Sequence, residues 1–398
     1  MSTFGRQSQR SRQPLPRGFT AIWSTVALDL VGFGIILPVL PLYARKFHAT
    51  PGLIGLLVAS FSVAQLLCSP LWGRLSDRIG RKPVLIVSLL GTAVGSLLTG
   101  LAGGLVLLFL GRLVDGGSGA SVSVAQASVA DLAAPKERAR LLGLLGAAFG
   151  LGFVLGPALG GLLSLVSPRL PFFVAAALAG GNAIVALRRL PETHHHATRE
   201  ATSRSRHLLS QRGVAGLLAV AFLSLVSFSA FEATFSLFGN RRLGLNLSST
   251  YALFTVIGVM IAADQVVLVR RAVDRWGERG ALQAGLVLNA GGLALLVGVR
   301  SLGALVPSLV LLTTGQGLIT PTLTSAVVGQ APAGERGRLL GVQQSVGGLA
   351  RVVGPVIGGV AFGRLGVWVP YAGGAALLLG ASALLAGVPR IVERPVTA

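Results

Sequence analysis

Twelve apolar runs, each about the 20 residues a helix needs to cross a hydrocarbon core, constrain this chain more than anything else in it. They cover 19–42, 52–72, 83–102, 105–130, 141–165, 170–187, 214–238, 249–269, 281–299, 303–330, 339–362 and 367–388. A segment in lipid has to satisfy its own backbone, and a helix does so. The sequence therefore predicts an all-α integral membrane protein with twelve transmembrane helices. Composition agrees: 12% of residues are charged, against about 25% in soluble domains, and the mean hydropathy is +0.75. The runs at 105–130 and 303–330 are long, which implies tilt or extension past the membrane. The first run reads as a span and not as a cleaved leader, because it is too long, contains Asp29, Pro38 and Pro41, and lacks a small-residue cleavage site.

The net charge of +21 raises nucleic-acid binding as a class, but the basic residues sit in short clusters between apolar runs, not along one helix face. With the N-terminus inside, 25 of the 34 Lys and Arg fall on the inner side, in clusters at 6–17, 74–82, 136–140, 188–212, 270–279, 336–338 and 390–394, and seven fall outside. The positive-inside rule then puts both termini in the cytoplasm, and no nucleic-acid partner is expected. Tyr43, Tyr251, Tyr371 and Trp368 fall at predicted outer boundaries, and Trp23 and Trp72 at inner ones, as in an aromatic belt. The single cysteine, Cys68, excludes an intrachain disulfide and a cysteine-based metal site.

The chain repeats itself. Glu137–Gly143 (ERARLLG) returns as Glu335–Gly341 (ERGRLLG), and Gly156–Gly161 (GPALGG) returns as Gly354–Gly359 (GPVIGG). Asp77-Arg78-Ile79-Gly80 returns as Asp274-Arg275-Trp276-Gly277 at nearly the same offset. Six spans preserve orientation, so this is a parallel repeat about the membrane normal, an architecture that places substrate between two halves. The expected organisation is a cytoplasmic tail (1–18), a six-helix half (19–187), a polar linker (188–213), a second six-helix half (214–388) and a C-terminal tail (389–398).

Gly73-Arg74-Leu75-Ser76-Asp77-Arg78-Ile79-Gly80-Arg81-Lys82, between the second and third spans, resembles at every defined position the loop signature of the major facilitator superfamily. The second-half copy is degenerate, with Arg270 in place of the first glycine and Glu278 in place of a basic residue. Arg112 followed by Gly116 is similar to the family's fourth-helix signature. Gly152-x-x-x-Gly156-Pro157-x-x-Gly160-Gly161 resembles the motif of drug/proton antiporters, and Asp29-x-x-Gly32-x-Gly34-x-x-x-Pro38-x-x-Pro41 resembles the first helix of tetracycline/proton antiporters. The resemblance covers about 19–388, all twelve spans. It implies a secondary transporter working by alternating access, with a proton gradient as energy source and no cofactor. It also implies that the charges of the 73–82 loop latch the outward-facing state, breaking and reforming as the halves rock.

The loop can also be read physically. Gly73 allows close approach to a neighbouring helix. Asp77 is placed to cap a cytoplasmic helix, and Arg78, Arg81 and Lys82 are placed to pair with Asp77 and Asp131, with Gly80 at the turn and Asp274 as the second-half counterpart. Gly152, Gly156, Pro157, Gly160 and Gly161, like Gly354, Pro355, Gly358 and Gly359, combine small residues for close packing in lipid with a proline that removes a backbone bond and bends its helix.

Ionisable residues inside spans cost a few kcal/mol on lenient scales and mark function. Four acids (Asp29, Asp115, Glu232, Asp264) face two bases (Arg112, Arg351). At least two carboxylates therefore lack a basic partner, and a carboxylate without one in low dielectric favours its protonated form, the physical basis of proton coupling. An Asp29–Arg112 interaction is one possibility. Asp115, three residues from Arg112, could instead neutralise it locally and leave Asp29 free. Asp29, Arg112, Asp115 and Glu232 are the candidate coupling and substrate-cavity residues. Asp264 is expected to partner Arg270 or Arg271, and Arg351 reads as structural. Gln65, Gln126, Asn289 and Gln316 either line the cavity or bond between helices. His194-His195-His196 reads as linker, and no metal site is expected.

None of the three lysines follows a glycine as a phosphate-binding loop requires, so ATP-driven transport by this chain alone is excluded. An intramembrane enzyme would need a nucleophile with a base or clustered ligands, and none is found at membrane depth. The expected activity is proton-coupled efflux of small amphipathic drugs by a monomer in a lipid bilayer. The alternative is export of a sugar or other metabolite, or proton-coupled uptake. Thirty-one arginines to three lysines suggest GC-rich coding and a bacterial plasma membrane.

Overall fold

The computed structural model describes residues 15–133, 137–193, 212–330 and 336–388. The outer part of the predicted N-terminal tail, the whole predicted C-terminal tail, most of the linker including His194–His196, and Lys136 and Glu335 lie outside the described residues. Among the described residues the elements are α1 (Phe19–Ile36), α2 (Leu40–Arg45), α3 (Pro51–Ile79), α4 (Arg81–Gly100), α5 (Leu105–Ser118), α6 (Ser121–Leu132), α7 (Arg138–Val166), α8 (Leu170–Arg189), α9 (Arg212–Leu243), α10 (Leu247–Gly298), α11 (Leu302–Gly329), α12 (Arg336–Arg364) and α13 (Val369–Gly387), with no strand.

Local chemistry sets these boundaries. Thr50, Asn246 and Ser301 accept backbone N–H bonds from Leu53, Ser249 and Ala304 at the starts of α3, α10 and α11, which satisfies donors a helix start leaves orphaned. Proline occupies the first turn of α2, α3, α8 and α13, where its missing N–H costs nothing. The predicted first span divides into α1 and α2 beside Pro38, and the fourth into α5 and α6 at Gly119. Counting across those breaks, eleven helices among the described residues are long and apolar enough to cross a membrane.

The count is eleven because the predicted eighth and ninth spans join in α10. That helix has 52 residues, roughly 80 Å at 1.5 Å per residue, far more than one crossing of about 30 Å needs. Gly277 interrupts it with φ 71° and ψ 169°, a backbone that glycine tolerates and other residues rarely adopt. Gly277 is the repeat partner of Gly80, whose φ of 103° separates α3 from α4.

The helices of each predicted half pack on one another: α1 on α7 and α8, α4 on α5 and α8, α9 on α12 and α13, and α10 on α11 and α13. The halves meet chiefly through α3 with α12 and α7 with α10, with smaller contacts of α9 on α2 and α3 and of α12 on α7. Leu67, Val106, Val166 and Val266 stand exposed on the flanks, an apolar exterior that suits lipid. The predicted tyrosine belt is corrected, since Tyr43, Tyr251 and Tyr371 are all buried within the protein. Tyr43 shows why: its hydroxyl donates to Ala102 O at 3.2 Å and accepts from Arg169 Nε at 3.2 Å. A hydroxyl with partners inside the bundle has no need of the headgroup layer. Trp368 does remain exposed.

Candidate substrate cavity and conformational latch

The two copies of the Gly-Pro motif do parallel work. Three glycines of α7 seat it on α1: a Cβ on Gly152 would meet Leu30 O at 2.7 Å, one on Gly156 would meet the Gly34 Cα at 2.5 Å, and one on Gly160 would meet Ile35 O at 2.7 Å. Gly161 instead faces Tyr251 of α10, in the other half. In α12, Gly354 and Gly358 lie on Ser229 and Ala230 of α9, whereas Gly359 lies on Pro51 and Gly55 of α3. In each copy the last glycine is the one that crosses between halves. Pro157 and Pro355 lie inside continuous helices.

These crossings sit at the predicted outer end, and a cavity of about 370 Å³ lies beyond them. Its walls include Asp29 and Phe33 of α1, Phe61 and Gln65 of α3, Asp115 of α5, Ser121 and Gln126 of α6, and Gln344 and Arg351 of α12. Gln65 Nε2 also donates to Gly119 O at 3.2 Å. Asn289 and Gln316 do not line this space, because they bond each other at 3.0 Å between α10 and α11.

Arg112 and Asp115, both 4% exposed, form an ion pair of 2.8 Å from Nη1 to Oδ2. The guanidinium also lies 4.4 Å from the centre of the Phe61 ring, a cation–π arrangement. Asp29 is not paired with Arg112; its Oδ2 accepts a hydrogen bond from Ser121 Oγ. Glu232 and Arg351 line a small adjoining pocket together with Arg112. Asp264 is corrected: it packs on Gly317 of α11 and pairs with neither arginine, while Arg270 pairs with Asp274 at 3.7 Å. Asp274 is one helical turn from Arg270, on the same helix face.

Around the 73–82 loop, Arg81 is the hub. Its Nη1 lies 2.6 Å from Asp77 Oδ1 and 2.6 Å from Ser76 Oγ, and its Nε lies 3.0 Å from Asp131 Oδ2. Three expectations are corrected here. Asp77 does not cap α4, because it lies in the last turn of α3, and Gly80 turns the α4 start toward Glu192. Glu192 accepts from the Arg81 and Lys82 backbone N–H groups at 2.9 and 3.2 Å. Arg78 is exposed and makes none of the loop's ion pairs, nor does the Lys82 side chain. Gly73 has open space where a Cβ would stand, so it mediates no close approach here. Sequence reading missed Glu192 because it assigned the residue to the linker. Its one signal is a carboxylate directly after Arg188-Arg189-Leu190-Pro191.

Among the described residues no cluster of three His, Cys, Asp or Glu could hold a metal ion.

The comparisons with known proteins agree with this geometry. The family model of the Major Facilitator Superfamily matches residues 22–355 and 265–397. The class C tetracycline resistance protein of Escherichia coli is 34% identical over 346 residues, covering 84% of this chain and 87% of that protein. Multidrug resistance protein 2 of Bacillus subtilis is 30% identical, covering 89% and 90%. The crystal structure of the human organic anion transporter MFSD10 superposes with a TM-score of 0.72 at 28% identity, covering 93% of this chain and 99% of that one. A chain with this match and these apolar helices is a multi-pass transporter of the plasma membrane and not an enzyme, and it belongs to the Major Facilitator Superfamily.

Proposed function

We propose that this transporter exports small amphipathic drugs, tetracyclines among them, in exchange for protons. In this reading the chain crosses the membrane twelve times, with α10 broken at Gly277 into two crossings, six helices to a half and both termini cytoplasmic. It works as a monomer by rocking the halves about the cavity. The two half-to-half glycine contacts lie toward the predicted outer end. The cavity lining runs through Ser69, Gln126 and Gly341, nearer the predicted cytoplasmic ends of their helices, so substrate enters from the cytoplasm in this conformation.

One observation carries the proton coupling. Asp29 faces the cavity with a hydroxyl as its partner, while the nearby Arg112 is already neutralised by Asp115. Protonating Asp29 therefore removes a charge from the cavity wall without breaking an ion pair. The resistance proteins above, at 30% identity or more, support drugs as the substrates. Apolar, adaptable walls bind varied amphipaths weakly.

The test is accumulation of tetracycline and a cationic dye in inside-out vesicles under an imposed pH gradient, with the wild type beside Asp29→Asn. Gradient-driven uptake that the variant loses is the expected result. If the wild type accumulates neither compound, drug efflux is wrong and metabolite transport takes its place.

A further inference from the structure

The charges on the cavity wall do not balance locally. In the half made by α1–α8, Arg112 and Asp115 neutralise each other at 2.8 Å, and Asp29 remains an acid held by Ser121. Across the cavity, α12 presents Arg351, the one basic residue among the described residues that line the main space. Among the described residues nothing forms a hydrogen bond or ion pair with its guanidinium. Glu232 of α9 lines the adjoining pocket beside it and acts on it electrostatically, but the two stand beyond ion-pair distance.

A guanidinium taken from water without a partner is costly, and it is planar, permanently charged and suited to bidentate contact with an oxyanion. Gly347, one turn away on α12, leaves only space and the Leu225 tip near it, with Arg351 Nη1 4.0 Å from where its Cβ would stand. Gln344 and Ser345 add neutral hydrogen-bonding groups to the same wall. The floor is apolar, with Phe33 and Phe61 5.2 Å apart between ring centres.

We propose that Arg351 is a substrate-binding residue that engages an acidic group, a carboxylate, sulfonate or enolate, on an amphipathic substrate. Glu232 stands behind it as a competing acid that keeps the bound anion releasable. Asp29 on the opposite wall accepts a cationic or hydrogen-bond-donating end. The cavity then selects amphipaths with an acidic group at one end, and cations lacking one bind without help from Arg351. This deepens the efflux reading and rests on it for direction, while anion binding itself is measured separately.

The experiment uses the full chain in nanodiscs, with equilibrium binding of 8-anilinonaphthalene-1-sulfonate and of ethidium, corrected for empty discs. Arg351→Gln should weaken the sulfonate about tenfold or more, the scale of one lost charge-assisted hydrogen bond, and change ethidium less than about twofold. Arg351→Lys should fall between. Glu232→Gln, which removes the competing acid, should tighten the sulfonate, an effect a merely structural role would not produce. If Arg351→Gln fails to fold, the opposite shifts in Arg351→Lys and Glu232→Gln decide the matter. No saturable sulfonate binding in wild type, no change in the Arg351 variants, or equal losses for both probes would each overturn the proposal. A wild type that binds the sulfonate through Arg351 but accumulates no tetracycline in vesicles sinks the drug reading and keeps the anion site.

Discussion

Glu192 and Arg81, 111 residues apart, meet where α4 begins: the Glu192 Oε1 accepts the Arg81 backbone N–H at 2.9 Å. The same carboxylate accepts from Lys82 N through Oε2, so two of the orphan donors at the helix start are satisfied from the end of α8. The charge also meets the positive end of the helix dipole. Glu192→Ala should cost about 1 kcal/mol, the usual value of a lost cap. Glu192→Gln should cost less, because one acceptor remains. Thermal unfolding of the purified protein checks both, and equal melting temperatures for all three would refute the capping role.

Arg81 also ties α3 to α6, and its two acids differ. The Asp131 side chain is 25% exposed and Asp77 is 61% exposed. Exposed pairs are worth roughly 0–1 kcal/mol, and the less exposed partner contributes more. Asp131→Asn should therefore lower the melting temperature more than Asp77→Asn. In vesicles, Asp77→Asn should lower turnover more than apparent affinity, because in the latch reading its pair with Arg81 breaks and reforms as the halves rock. Unchanged turnover in Asp77→Asn would remove the latch reading.

Much of this was legible in the sequence, and the failures have physical causes. Apolar runs gave the helices, because lipid forces each segment to close its own hydrogen bonds. The loop signature located Asp77 and Arg81, and the inner end of the fourth span supplied Asp131 as their partner, because these residues lie at neighbouring helix ends. Three things were illegible. Glu192 acts from 111 residues away, and no local period reports such a contact. Tyr251 and Tyr371 have the type and depth of belt residues, but rotation about the helix axis decides whether a ring meets lipid or protein, and both rings are inward and fully buried. Arg351 read as structural because sequence alone does not say what faces it; among the described residues no hydrogen-bond or ion-pair partner meets its guanidinium.

The Arg112–Asp115 pair gives a sharper stability test. Both residues are buried, so removing one partner leaves an uncompensated charge at a cost of about 3–5 kcal/mol. Arg112→Leu should abolish folding or nearly so. The double variant Arg112→Leu/Asp115→Leu should recover much of the loss, since replacing a whole buried pair with apolar groups is often close to neutral. Expression and melting temperature read this directly. A double variant as unstable as the single one would show that the pair's hydrogen-bonding neighbours, and not its charge balance, hold the site.

The two glycine crossings separate folding from conformational change. Gly156 packs on the Gly34 backbone within one half, where a Cβ would meet Cα at 2.5 Å and Ile35 N at 2.9 Å. Backbone in a packed helix pair has nowhere to move, so Gly156→Ala should destabilise the protein by an overpacking cost of about 1–3 kcal/mol. Gly359 packs across the halves, with its Cβ position 2.5 Å from Pro51 O and 3.1 Å from Gly55 Cα. There the halves can part and relieve the clash. Gly359→Ala should therefore leave the stability within about 1 kcal/mol of wild type while shifting the population toward a state open at the predicted outer end. Spin-label distances between α3 and α12 at that end measure the shift. A Gly359→Ala protein that unfolds as readily as Gly156→Ala, with unchanged distances, would mean that the outer seam is as rigid as the packing inside each half.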